Sequence, residues 1–223
     1  MLIYKLIMEE TNMYHITQIK AGSNCYLVSQ EGVSILVDTG LKQNEKKILK
    51  ACQGKNVKLI VLTHGHIDHI QNASYLAKQL QVPIAMHKND IDLIQNNLCR
   101  EMKSNGLIGN VVKFFSEMSA KYVESQMFTP EILLKEGDKL LEYGIDGEVV
   151  ELPGHTQGSI GIKLGEEYFL VGDALMNIFG PGESLLYENR EEMQKSAKKI
   201  ADMGKYIIYF GHGKPVLNRK WVK

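Results

Sequence analysis

The apolar positions of this chain follow two rhythms, and the change between them marks out its elements. Residues 14–19, 25–29 and 33–37 are short runs rich in β-branched side chains, separated by Ala21-Gly22-Ser23-Asn24 and by Gln30-Glu31-Gly32, and they predict three strands. The third run is almost wholly apolar, as expected of a strand buried on both faces, and it ends at Asp38-Thr39-Gly40. Over residues 44–52 the period lengthens, so that Ile48, Leu49 and Cys52 share one side of a predicted helix. Residues 57–62 predict another buried strand, which runs into Thr63 and a histidine cluster. Helical spacing returns at Ala73, Leu76, Ala77 and Leu80, and residues 83–86 predict the next strand. Strand-helix-strand-helix-strand order makes this half α/β.

The later half repeats the theme, with strands predicted at 148–152, 160–164 and 168–171, a helix at 190–203 and a last strand at 206–210. Two such halves stacked sheet on sheet, helices outside, give a four-layer α/β (α+β) architecture within one domain spanning 1–223. Between the halves, residues 89–130 carry no strand signal. Val111, Phe115, Met118 and Tyr122 recur there at helical spacing, and Met102, Met118 and Met127 add adaptable bulk. This segment predicts a helical insertion, read either as a helical pair closing part of the core or as a lid. As a lid it would line a substrate pocket with Phe114, Phe115 and Met118; as an interface it would bury them in a homodimer. No internal repeat interrupts this organisation.

Composition narrows the classes. The 223 residues carry no formal net charge, so no global field draws the chain to nucleic acid or anionic lipid. Residues 2–8 are apolar but broken by Lys5 and followed by Glu9 and Glu10, with no cleavage-site pattern, and no run approaches a membrane span. Cys25, Cys52 and Cys99 form no Cys-x-x-Cys pair and read as reduced, mostly buried thiols, which makes a cytoplasmic protein the expectation.

The chemistry concentrates in His64-Gly65-His66-Ile67-Asp68-His69. From the abundance of His and Asp, such a cluster arises by accident on the order of once in several thousand chains of this kind. His64 and His66, two apart on an extended segment leaving a strand, project to the same side and suit one metal. Asp68 and His69 come where the chain turns into a helix and can address a second centre. The carboxyl end of a strand is where α/β proteins place their ligands. Imidazole and carboxylate without thiolate suit zinc, iron or manganese. The missing ligands are sought in glycine-bounded strand ends, and three occur: Gly154-His155-Thr156, Gly172-Asp173 and Gly211-His212-Gly213. His15 lies outside any motif, and His87 reads as a solvated strand-end histidine.

The order Val37-Asp38-Thr39-Gly40, Thr63 to His69, Gly154-His155-Thr156, Gly172-Asp173, Gly211-His212-Gly213 resembles the motif series of the metallo-β-lactamase superfamily. The resemblance implies an αββα sandwich with its site at one edge between the sheets. It implies that His64, His66 and His155 hold one divalent ion, that Asp68, His69 and His212 hold a second, and that Asp173 bridges them. Zinc is the first expectation for both, with iron or manganese as alternatives. Asp38 would orient the metal loop, and Asp68 would orient a metal-acidified water and pass on its proton. The implied reaction is hydrolysis of a small-molecule substrate.

Within the superfamily the metal motifs resemble the hydroxyacylglutathione hydrolase branch, which implies a small ester or thioester. This sequence ends eleven residues after His212, without that enzyme's C-terminal helical domain, and has Gly180-Pro181-Gly182-Glu183 in place of its Cys-Gly-Arg signature. An acyl-homoserine lactonase would carry a tyrosine near Ala174, Leu175 and Met176, and a phosphodiesterase or nuclease would carry a basic appendage. Persulfide dioxygenases share a related loop around a single iron, whereas flavodiiron proteins have glutamate where this chain has His66. A non-catalytic binding protein would show lost ligands, and none is lost here.

Overall fold

In the computed structural model, residues 14–122 and 127–222 are described; residues 2–8 lie outside them. The chain runs β1 (His15–Ala21), β2 (Ser23–Gln30), β3 (Val33–Val37), α1 (Glu45–Cys52), β4 (Val57–Val61), α2 (Ile67–Ile70), α3 (Ala73–Leu80), β5 (Ile84–His87) and α4 (Ile91–Gln95). Then come β6 (Lys103–Ser104), α5 (Gly106–Tyr122), β7 (Ile132–Leu134), β8 (Gly147–Glu151), β9 (Ile160–Leu164) and β10 (Tyr168–Leu170). β11 (Leu175–Asn177), β12 (Pro181–Glu183), β13 (Leu186–Tyr187), α6 (Arg190–Asp202), β14 (Ile207–Tyr209) and β15 (Val216–Leu217) complete it.

One sheet has the order β1-β2-β3-β4-β5-β7, the other β15-β14-β10-β9-β8. β1 to β3 form an antiparallel meander, and β3, β4, β5 and β7 run parallel. Alternation along the strands sorts their side chains into three cores. Leu27, Leu36 and Ile60 pack with Ile48, Cys52 and Leu76 of α1 and α3. Their neighbours Val28, Ile35, Val37, Leu59 and Val61 meet Val149, Ile160 and Ile162 of the second sheet. Val150, Phe169 and Ile208 pack on Ala197 and Ile200 of α6. Helix, sheet, sheet, helix is the four-layer order the patterning predicts. Fully burying each such side chain stabilises the fold by about 1.5–3 kcal/mol.

The segment between the halves differs from its prediction. It contains a short strand, β6, paired with β13, and β7 after it adds a sixth strand to the first sheet. Both are too short to show alternation. The segment holds two helices: the short α4, which buries Leu93 and Ile94, the latter in the first core, and the long α5, whose Leu107, Ile108, Val111, Phe114, Phe115 and Met118 are exposed. Cys25 and Cys52 are buried, and burial first of all holds their thiols protonated, Cys25 well above its usual range and Cys52 at about 11. Cys99 is exposed, against the expectation of a buried thiol. His87 is also corrected: it is buried, with Nε2 3.2 Å from Glu151 Oε1 and Nδ1 accepting from the Asn89 amide. His15 sits exposed on β1. Among the described residues, no helix is long and apolar enough to cross a membrane.

Candidate metal centre

Four loops meet at one edge of the two sheets, each leaving the carboxyl end of a strand. β4 ends in Thr63, His64, Gly65 and His66, and α2 adds Asp68 and His69. The loop after β8 brings His155, the one after β10 brings Asp173, and the one after β14 brings His212. Three donor sets result: His64, His66 and His155; His64, His69 and Asp173; Asp68, His69 and His212. Within each set the donor atoms lie within 4.8 Å of one another. Asp173 stands between the first and the last of these sets, 3.6 Å from His69 Nε2, 3.7 Å from His155 Nε2 and 3.4 Å from His212 Nε2.

The hydrogen bonds around the site decide which ring nitrogens face it. His155 Nδ1 lies 2.8 Å from the Leu186 carbonyl, which can only accept, so Nδ1 carries the proton and Nε2 the lone pair. His69 Nδ1 donates to Asp38 Oδ2 over 2.8 Å. The one hydroxyl proton of Thr63 goes to Asp38 Oδ2 at 2.8 Å, so Thr63 Oγ1 accepts from His64 Nδ1 at 3.1 Å. Asp38 also accepts the Thr63 amide at 2.8 Å, from a left-handed backbone (φ 61°) that Asp tolerates better than most residues. One carboxylate thus turns two imidazoles toward the centre.

The electrostatics match that arrangement. Burial holds His64 well below its usual range and brings His66 and His155 to about 4, so all three are neutral, the form that ligates a metal. Burial also pulls on His69, but Asp38, Asp68 and Asp173 outweigh it and raise the group to about 10. The same contest raises His212, where Asp173 and Asp68 prevail over burial. Burial pushes Asp68 up, yet His69, His212 and His66 together hold it far below the usual carboxylate range. The carboxylate side of the site favours positive charge.

Among the described residues, three buried side-chain polar atoms lack a hydrogen-bond partner: His64 Nε2, His69 Nε2 and Asp173 Oδ1. All three face this one point. An unsatisfied buried polar atom costs about 1–3 kcal/mol, so a divalent cation is the partner that this donor set fits.

Residues 20–212 match the sequence model of the metallo-β-lactamase superfamily. The chain belongs to that superfamily. Metallo-β-lactamase-fold proteins bind divalent metals, in keeping with the donor sets above. The uncharacterized protein YobT of Bacillus subtilis (strain 168) is 27% identical over 210 residues, covering 86% of this chain and 83% of that protein. Hydroxyacylglutathione hydrolase 1 of Vibrio vulnificus (strain YJ016) is 28% identical over 204 residues, 88% of this chain but 64% of that enzyme. The crystal structure of the BLEG-1 B3 metallo-β-lactamase superposes with a TM-score of 0.69 at 19% identity, over 91% of this chain and 94% of that one. At that identity the likeness is one of fold.

Other site residues escape a reading of the sequence. Asp90, just after β5, is buried and accepts from the amides of Gly65 (2.9 Å) and Gly158 (2.8 Å), from Thr156 Oγ1 (2.6 Å) and from Arg100 Nη1 (3.1 Å). It therefore ties the His64–His66 loop to the His155 loop. Asn24 and Tyr26 on β2 hold the His212 loop through the Phe210 carbonyl, at 2.9 and 2.6 Å. A side chain at Gly211 would run into Asp173, which is why glycine precedes His212. Of the three predicted pocket residues, only Phe115 reaches the cleft above the donor sets; Phe114 and Met118 line a separate depression with Leu98 and Arg100.

Proposed function

We propose that this chain is a metal-dependent hydrolase that cleaves a small ester or thioester with two divalent ions, zinc first among them. His64, His66 and His155 would hold one ion and Asp68, His69 and His212 the other, with Asp173 between them. The observation that carries the reading is the convergence of three partnerless buried donor atoms within a set of five imidazoles and two carboxylates. Bound ions of this kind supply an acidified water as nucleophile and polarise a carbonyl oxygen.

The chain's own groups do the rest. Asp38 and the Leu186 carbonyl hold His69 and His155 in the ligating tautomer. Asp68 is partly exposed and lines the cleft, with Oδ2 3.1 Å from His212 Nε2, so its carboxylate can accept a hydrogen bond from the reacting water and orient it. No Gly-x-Ser-x-Gly element provides a serine nucleophile. The test is to assay metal-loaded protein against thioesters, lactones and phosphodiesters. Turnover of a thioester or ester that is lost on chelation supports the reading. Bound iron with oxygen uptake in place of hydrolysis overturns it.

A further inference from the structure

The cleft above the metal ligands holds about 360 Å³ and has two unlike walls. One is the ligand face, with His66, Asp68, Asp173 and His212. The other is apolar, with Leu41 from the loop after β3, Val111, Val112 and Phe115 from α5, and Met176 and Ile178 around β11. Among the described residues, no lysine or arginine lines it, and its two carboxylates, Asp68 and Asp173, belong to the donor sets. Arg100 lies outside it, engaged by Asp90, Asp92 and Glu188.

The reacting carbonyl would take the cation-binding face, and carboxylates carried farther along a substrate would find no lysine or arginine among the described lining residues to pair with. An aliphatic chain would cover side chains that otherwise face water: Val111 is 56% exposed, Phe115 57% and Ile178 42%. Resting on the hydrolase reading above, we infer that the substrate is an uncharged aliphatic ester or thioester whose acyl chain lies along Val111, Phe115 and Ile178, its carbonyl turned to the ligand face. This separates the chain from enzymes that take a glutathione thioester, whose peptide carries carboxylates.

The experiment compares acetyl, butyryl, hexanoyl and octanoyl thioesters of neutral N-acetylcysteamine with the same acyl groups on glutathione, using metal-loaded protein. The expected result is a rise in kcat/KM of about fourfold per added methylene until the apolar wall is covered, with the neutral leaving group preferred. Phe115→Ser should lower the octanoyl-to-butyryl ratio while the metal content stays that of the parent. As a readout apart from turnover, the amide isostere of the octanoyl thioester, N-acetyl-N′-octanoylethylenediamine, which carries no thiol, should raise the melting temperature of the parent protein more than that of Phe115→Ser. Thioester hydrolysis with no dependence on chain length, or with glutathione preferred, overturns this inference and leaves the hydrolase reading standing. If no thioester or ester is cleaved, the hydrolase reading falls; if the amide in addition fails to stabilise the parent protein, the acyl site falls with it.

Discussion

The metal loops and helix α5 face each other across one cleft and are built on opposite principles. In the loops the polar groups are buried and tied down: Asp38 accepts from Thr63 and His69, and Asp90 from Gly65, Thr156 and Gly158. On α5 the apolar groups face water, and the helix meets the rest of the fold chiefly through β6 and β13. Fixing a ligand to within tenths of an ångström needs a buried, fully hydrogen-bonded support. Choosing a substrate needs only a wall of the right character, which can change without disturbing the core.

The contrast can be broken at its strongest point first. Asp173→Ala removes the carboxylate between the His64–His66–His155 set and the Asp68–His69–His212 set, and the expectation is loss of detectable hydrolysis with the circular dichroism spectrum of a folded chain. Substantial residual turnover would count against a bridging role.

A smaller effect is expected one layer out. Asp90→Ala strips the acceptor from both metal loops, and metal affinity measured by chelator competition should fall about 10–100-fold. Stability to urea should fall with it, by about 3–5 kcal/mol, because Arg100 and two buried amides lose a partner. An unchanged affinity would show that the loops hold their shape without this tie.

The smallest effect belongs to the far face of α5. Phe114→Ser should change stability by no more than about 0.5 kcal/mol and leave substrate preference alone, since Phe114 lines a different depression from Phe115. A shift in chain-length preference as large as that of Phe115→Ser would place the acyl site elsewhere.

The same contrast governs what the sequence reveals. The layers are legible because buried strands such as β3 and β4 are mostly apolar, broken only by Ser34 and Lys58, while α1 and α3 have helical spacing. The seven donor residues are legible because metal chemistry demands His and Asp beside glycine-bounded strand ends. Asp90 is not, since one acid after a strand is common and its partners at Gly65, Thr156 and Gly158 are distant in sequence. β6 and β7, with two and three residues, are too short for periodicity to register. Along α5, a run of Val, Phe and Met at helical spacing reads equally as core, lid or interface, and here its apolar side chains face the cleft and water. Periodicity finds the helix without telling what covers it.

Reconstitution with zinc, removal of the excess by dialysis and elemental analysis of the protein test the two-ion centre most directly. Close to two ions per chain is the expected result, falling toward one when His212 is replaced by alanine. Fewer than one ion per chain in the unaltered protein, under conditions that retain metal, would contradict the dinuclear centre.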